Sequence, residues 1–210
     1  MEYTDLPSEE NENAVLNEQP SEENTGKNKV ATAQNTILAY LHDLVFLLAG
    51  LLLLFVLIFR IVVVSGPSMK PTLYNGDYLI VLSSSVYTEP KVGDVVVISK
   101  DSFKNGEPIV KRIIATEGQI VHIDDGKVYV DGVEQEGAYT PTGYDLNFPV
   151  TVEAGCIFVM GDNRAESKDS RSYEIGMIDK REVLGKVLFI ALPAPNDFTH
   201  KRDFSRIGAV

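Results

Sequence analysis

Cysteine is almost absent from this 210-residue chain: Cys156 stands alone. A single thiol excludes an intrachain disulfide framework and a Cys-rich zinc site. Histidine is nearly as scarce. His42, His122 and His200 are scattered along the chain, too few and too far apart to suggest a His-based metal cluster, so neither a metal nor a cofactor is expected. Positive charge is also in short supply. Nineteen Lys and Arg face 30 Asp and Glu, a net charge of −11. No stretch is basic enough to grip a phosphate backbone, which removes nucleic acid from the expected partners. No repeat of fixed period is present.

The remaining composition is uneven, and it divides the chain into three. Residues 1–36 carry eight acids and two bases and are almost free of aromatics. Such a segment cannot bury enough apolar surface to offset its ordering entropy, so it is expected to be a disordered acidic tail. Residues 37–64 are the opposite. From Leu44 to Phe59 every residue is apolar or Gly, and the whole run from Ile37 to Phe59 reaches about 35 Å as a helix, enough to cross a bilayer. His42 and Asp43 stand just before the unbroken run and Arg60 just after it, positions expected near the two interfaces. A secretory signal peptide has a shorter apolar core closer to the N-terminus and a small-x-small site directly behind it. The segment is therefore read as a retained anchor with a juxtamembrane stretch, which makes the lipid bilayer a partner. Lys27 and Lys29 before the span and Arg60 and Lys70 after it nearly balance, so charge does not orient it.

Residues 65–210 read as a mainly β domain. Short apolar runs at Tyr78–Leu82, Val95–Ile98, Ile109–Ala115, Ile120–Ile123, Lys127–Val130, Ile157–Met160 and Val183–Leu192 alternate with turn signals. Asp124-Asp125-Gly126 between two of them marks a tight hairpin. No long amphipathic helix interrupts the series. The expected fold is an antiparallel β-sheet domain behind one N-terminal transmembrane helix.

Three segments can carry chemistry. The first, Ser65-Gly66-Pro67-Ser68-Met69-Lys70-Pro71-Thr72-Leu73, holds a hydroxyl between two prolines just after the span, and is either a stiffened nucleophile loop or an ordinary juxtamembrane turn. A serine nucleophile needs a base. None of the three histidines is well placed, and the G-x-S-x-G elbow is missing because Lys70 stands where its second Gly belongs. The second segment, Ile109-Val110-Lys111-Arg112-Ile113-Ile114, offers a lysine instead. Strand alternation puts Lys111 on the face of Ile109 and Ile113 and turns Arg112 away. Desolvation disfavours the ammonium, and a neutral amine can take a proton, which an arginine cannot. The bland alternative is a pair of surface cations on an edge strand. The third segment, Gly161-Asp162-Asn163-Arg164-Ala165-Glu166-Ser167-Lys168-Asp169-Ser170-Arg171-Ser172, is a dense polar loop leaving a strand. It offers an Asp169–Arg171 pair, a hydroxyl at Ser167, or a plain solvated surface, and it lacks the calcium-loop pattern.

Taken in order behind a membrane span, the three segments resemble the boxes of the type I signal peptidase family, membrane-anchored proteases with a Ser-Lys dyad. The resemblance covers residues 40–192. It implies Ser68 as nucleophile, Lys111 as general base, Ser167 as the group that orients the lysine, and Asp169 with Arg171 as a supporting salt bridge. It further implies an apolar substrate pocket lined by Val64, Met69, Leu73 and Val110, and substrates that are preproteins bearing signal peptides. By the same resemblance the catalytic domain lies outside the cell membrane, held by a single pass, with the tail in the cytoplasm, as in Gram-positive-type members. Two positions depart from the family pattern. Gly66 replaces a serine that assists the oxyanion in some members, and Ala115-Thr116-Glu117-Gly118-Gln119 replaces G-x-P-G-D after the lysine strand.

Three other readings use the same residues. A pilin-type processing peptidase would share the dyad with a dedicated substrate. A self-cleaving Ser-Lys repressor would need a DNA-binding domain and no span. A non-catalytic, membrane-anchored β binding domain would need neither Ser68 nor Lys111.

Overall fold

In the computed structural model the described residues are 22–103, 106–138, 140, 146–196 and 199–210. The tail expected over residues 1–36 falls mostly outside them, at residues 1–21. The rest of it is helical: α1 runs from Glu22 to Ile58, 37 residues, or roughly 55 Å. Once the apolar segment is helical, each further residue adds a hydrogen bond without a new nucleus, so the helix extends back through polar sequence. Within it, Thr36–Ile58 is long and apolar enough to cross a membrane.

The helix stops where β-branched residues accumulate. Phe59-Arg60-Ile61-Val62-Val63 forms β1 (Phe59–Val63), since branching at Cβ restricts rotamers in a helix and suits a pleated strand. The sheet therefore begins at Phe59, the last residue of the expected apolar span, and not at residue 65.

All strands pair antiparallel. The larger sheet contains β1, β2 (Tyr78–Ser83), β3 (Val95–Ile98), β4 (Ile109–Thr116), β9 (Cys156–Met160), β10 (Ile178–Asp179) and β11 (Val183–Leu192), in the order β1-β2-β11-β3-β4-β9-β10, with β12 (Gly208–Ala209) also pairing β11. The smaller sheet has the order β7-β6-β5-β8, from β5 (Ile120–Asp124), β6 (Lys127–Val130), β7 (Val133–Glu134) and β8 (Val150–Thr151). The turn between β5 and β6 has two central residues with positive φ, Asp125 at 43° and Gly126 at 73°. This is the twist that a two-residue hairpin needs. Asp131 and Gly132 repeat it between β6 and β7.

β3 is buried on both faces, which explains its unbroken Val-Val-Val-Ile sequence. Val95 and Val97 join one core with Val64, Met69, Leu73, Leu79 and Val81, while Val96 and Ile98 join another with Ile113, Ile157 and Val159. A third core, with Ile114, Val121, Val128 and Phe158, fills the space beside the smaller sheet.

One buried carboxylate ties the C-terminal segment to the start of the sheet. Asp77 is fully buried; it accepts two hydrogen bonds from the Arg206 guanidinium, at 3.1 and 2.6 Å, and one each from the Ala194 and Tyr74 backbone N–H groups, both at 2.7 Å. Burial pushes its carboxyl upward, but Arg206 and the two backbone donors outweigh this and hold it below the ordinary carboxylate range. A depressed folded value contributes stability above the unfolded value near ~4, lost as pH falls through the folded one. Asp77→Asn should cost about 2–3 kcal/mol near neutrality, with a smaller penalty in acid, read by thermal unfolding in detergent across pH 3–7.

Candidate active site

Strand alternation separates the two adjacent cations of β4. Lys111 pairs in register with Val96, and Arg112 with Val95. Lys111 shares the face of Val96 and Ile113 and is 3% exposed. Its Nζ lies 2.8 Å from Ser68 Oγ and 3.0 Å from the Val110 carbonyl, to which it donates. At that depth the amine is held away from bulk water.

Ser68 sits in the loop between β1 and β2, and three contacts hold that loop. The Asn163 N–H donates to the Ser68 carbonyl at 3.0 Å. Asn163 Nδ2 donates to the Pro67 carbonyl at 3.3 Å. Thr72 Oγ1 donates to Asp162 at 2.6 Å. Asp162 in turn accepts two hydrogen bonds from Arg112, each 2.8 Å. Burial raises the Asp162 carboxyl, but the donors Arg112 and Thr72 hold it below the ordinary range, while Asp162 pushes the Arg112 guanidinium up. The Ser68 N–H donates to no partner among the described residues, so it remains available to an incoming oxygen. Gly66, the departure noted from the sequence, has no side chain to offer, and its N–H donates to Asn75 Oδ1 at 3.0 Å.

The third segment forms the scaffold behind this loop. Asp169 and Arg171 make a buried bidentate pair at 2.7 and 2.9 Å. Asp169 also accepts from the Gly161 N–H at 3.0 Å, and Arg171 Nη2 donates to the carbonyls of Arg164 and Ser167. Arg164 is itself buried, donating to the Gly161 carbonyl and to Thr140 Oγ1. Burial, and then the positive charge of Arg171, push its guanidinium below the ordinary value. With Asp162 and Asp169 both committed to arginines, the loop offers no free carboxylate pair to a cation.

Ser167 lies where it can touch the pair, but the hydrogen bond to the lysine implied by the resemblance is not made. Its Oγ is buried and has no hydrogen-bond partner among the described residues. It packs against Gly161, whose missing side chain explains the close approach. A Cβ there would stand 2.3 Å from Ser167 Oγ and 2.4 Å from the Ser68 carbonyl oxygen.

A cleft of about 210 Å³ opens on the Ser68–Lys111 pair, lined also by Pro67, Phe103, Ile109 and Val110. Of the four residues expected to line a substrate pocket, only Val110 does so. Val64, Met69 and Leu73 are 4%, 1% and 0% exposed and pack into the first core with Leu79 and Val81. The loop folds its apolar side chains inward and leaves Ser68 at the surface between them. Sequence reasoning missed the Thr72–Asp162–Arg112 chain and Asn163. Its only signal was Arg112 beside Lys111, which alternation turns toward a different partner.

The architecture and the pair define a β-domain that presents a serine alcohol to a buried lysine amine behind an apolar helix. The model of the family "Signal peptidase, peptidase S26" matches residues 37–192, and the chain belongs to that family. A signal peptidase I of Bacillus licheniformis is 34% identical over 177 residues, covering 79% of this chain and 94% of the relative. A probable signal peptidase I-1 of Synechocystis sp. is 36% identical over 140 residues, 62% of this chain and 70% of the relative. Among solved structures, a signal peptidase I from Enterococcus faecalis is similar at 27% identity, with a TM-score of 0.38, over 47% of this chain and 96% of that one.

Two stability measurements test the scaffold. Asp169→Ala strands a buried guanidinium and should cost about 3–5 kcal/mol. Gly161→Ala must push the Ser68 backbone aside, an overpacking cost of about 1–3 kcal/mol. Both are read by chemical denaturation in detergent. Wild-type midpoints would reject the clamp.

Proposed function

We propose that this chain is a membrane-anchored serine endopeptidase that removes signal peptides from preproteins, with Ser68 as nucleophile and Lys111 as general base. The observation that carries the reading is the 2.8 Å approach of a 3%-exposed lysine amine to the serine oxygen. Family membership supplies the substrate class. The protein lies in the cell membrane by a single pass through Thr36–Ile58, with the β-domain on the extracytoplasmic side. Sharing one bilayer with the precursor raises the effective concentration of substrate without any new contact.

The chemistry follows from the geometry. Neutral Lys111 Nζ accepts the Ser68 hydroxyl proton as Oγ attacks the scissile carbonyl. The oxyanion that forms takes the Ser68 N–H. A lost side-chain donor costs other proteases about 3 kcal/mol, so with Gly66 in place a second donor comes from water or from the substrate's own surroundings. The lysinium then gives its proton to the leaving amine, and an ester links Ser68 to the signal peptide. Neutral Lys111 next takes a proton from water, which attacks the ester; the lysinium returns that proton to the departing Ser68 Oγ, freeing the serine hydroxyl and the peptide acid. The narrow cleft beside Val110 suits small side chains before the scissile bond. Ser167, Asp169 and Arg171 are positioning residues: the salt bridge fixes the loop that holds the Ser68 carbonyl, and Ser167 fills the space behind the pair.

Purified full-length protein assayed on a precursor with a small-x-small site tests the dyad. Ser68→Ala and Lys111→Met should each lose at least ~100-fold in kcat, and Lys111→Arg should fare no better, since a guanidinium stays protonated. The wild-type rate should rise with pH through the lysine's ionisation, because only the free amine accepts the proton. Undiminished cleavage by the variants, or a rate flat from mildly acid to alkaline pH, would reject the mechanism.

A further inference from the structure

A second cleft, of about 300 Å³, lies behind the serine loop and has no part in the mechanism above. Lys70, Tyr74 and Asn75 line it from the loop, and Lys201, Asp203 and Arg206 from the C-terminal segment. The family match ends at residue 192, so two thirds of the residues lining this cleft lie outside it. The C-terminal wall is firmly seated, because Arg206 reaches back to the buried Asp77 and to the Thr72 carbonyl.

The charge in this cleft runs against that of the chain. On a protein of net charge −11, three cations converge on one concavity. Arg206 and Lys70 flank the Tyr74 ring, at 4.3 and 5.7 Å from its centroid. Arg206 is neutralised by Asp77, and the Asp203 carboxylate is turned to its own Ser205 N–H and hydroxyl. Lys70 and Lys201 make no ion pair with any described residue. Lys70 and Lys201, outside any ion pair among the described residues, outnumber the Asp203 carboxylate, and beside the Asn75 amide and an aromatic face they form a receptor for a phosphate group, bound through charge-assisted hydrogen bonds.

Position selects the source of that phosphate. The Gly76 N–H donates to the Val64 carbonyl at 2.8 Å, so the cleft adjoins the end of β1. Val64 is six residues past the last residue of the apolar helix, at most about 22 Å along the chain. The intervening strand carries Ile61 and Val63 at 67% and 49% exposure, apolar side chains that a bilayer interface would accept. We propose that this cleft binds the phosphate of an anionic phospholipid headgroup, with Lys70 and Lys201 as its charge partners. A zwitterionic choline headgroup brings its own cation against the same lysines and fits less well.

The proposal stands apart from the peptidase reading and is tested by binding. Detergent-solubilised full-length protein is titrated with dihexanoyl phosphatidylglycerol, dihexanoyl phosphatidylcholine and inorganic phosphate, followed by ³¹P NMR. Saturable, salt-sensitive binding of the glycerol lipid is expected, at least fivefold tighter than that of the choline lipid. Lys70→Gln and Lys201→Gln should each weaken it at least fivefold, while Lys127→Gln, an exposed lysine on the other sheet, should bind like wild type. Thermal unfolding of each variant separates loss of the site from loss of the fold. Equal binding of the two lipids, or wild-type titrations from both cleft variants, overturns the site. Inorganic phosphate binding there as tightly as the lipid overturns the headgroup as its source.

Discussion

The contact between Lys111 Nζ and Ser68 Oγ can exist only if two demanding conditions are met together. The lysine must be taken out of water, and the serine loop must be held still against it. Burial on β4 meets the first, because the side chain enters among Val96, Ile109 and Ile113 on a strand already enclosed by the sheet. The second is met from outside the loop. Asn163 grips the Ser68 carbonyl, Asp162 grips Thr72, and both residues hang from a segment locked by the Asp169–Arg171 pair. Without the clamp, the loop would have to pay its ordering entropy from its own few contacts.

The same arrangement makes economical use of an acidic composition. Three of its buried or half-buried carboxylates are assigned to arginines: Asp77 to Arg206 and Asp162 to Arg112 from distant parts of the chain, and Asp169 to Arg171 within one loop. The first two pairs close junctions between segments, the third braces its own loop, and each arginine offers the fixed donor fork that a lysine lacks. The deeply buried lysine of the site is set on an alcohol.

The helix and the domain meet at a change of backbone preference. A run of leucine and phenylalanine gives way to Ile61-Val62-Val63-Val64, and the chain passes from helix to strand at Phe59 without a linker. The first strand of the sheet is thus also the connection to the membrane segment, and the serine loop begins directly after it.

Much of this was legible in the primary structure. Apolar length revealed the membrane segment, and period-two runs with Gly-Asp punctuation located the seven longer strands among those described from β2 onward, most to within a residue, because local propensity and burial agree there. The Ser68 and Lys111 boxes could be quoted from the chain, and alternation placed Lys111 and Arg112 on opposite faces. The two-residue strands and β1 were not legible: the former are too short to show a period, and the latter continues an apolar run without a break. Nor could the sequence show that Val64, Met69 and Leu73 turn inward, or that Asp162 belongs to Arg112 and Asp77 to Arg206 across 129 residues. Such pairings are set by which strands become neighbours, and the β2-β11-β3-β4 order is a property of the folded sheet. Residue type and spacing determined which groups were present and on which side of each strand. Only the tertiary structure decided which of them meet, because hydrogen bonds and desolvation act over a few ångströms of space and take no account of distance along the chain.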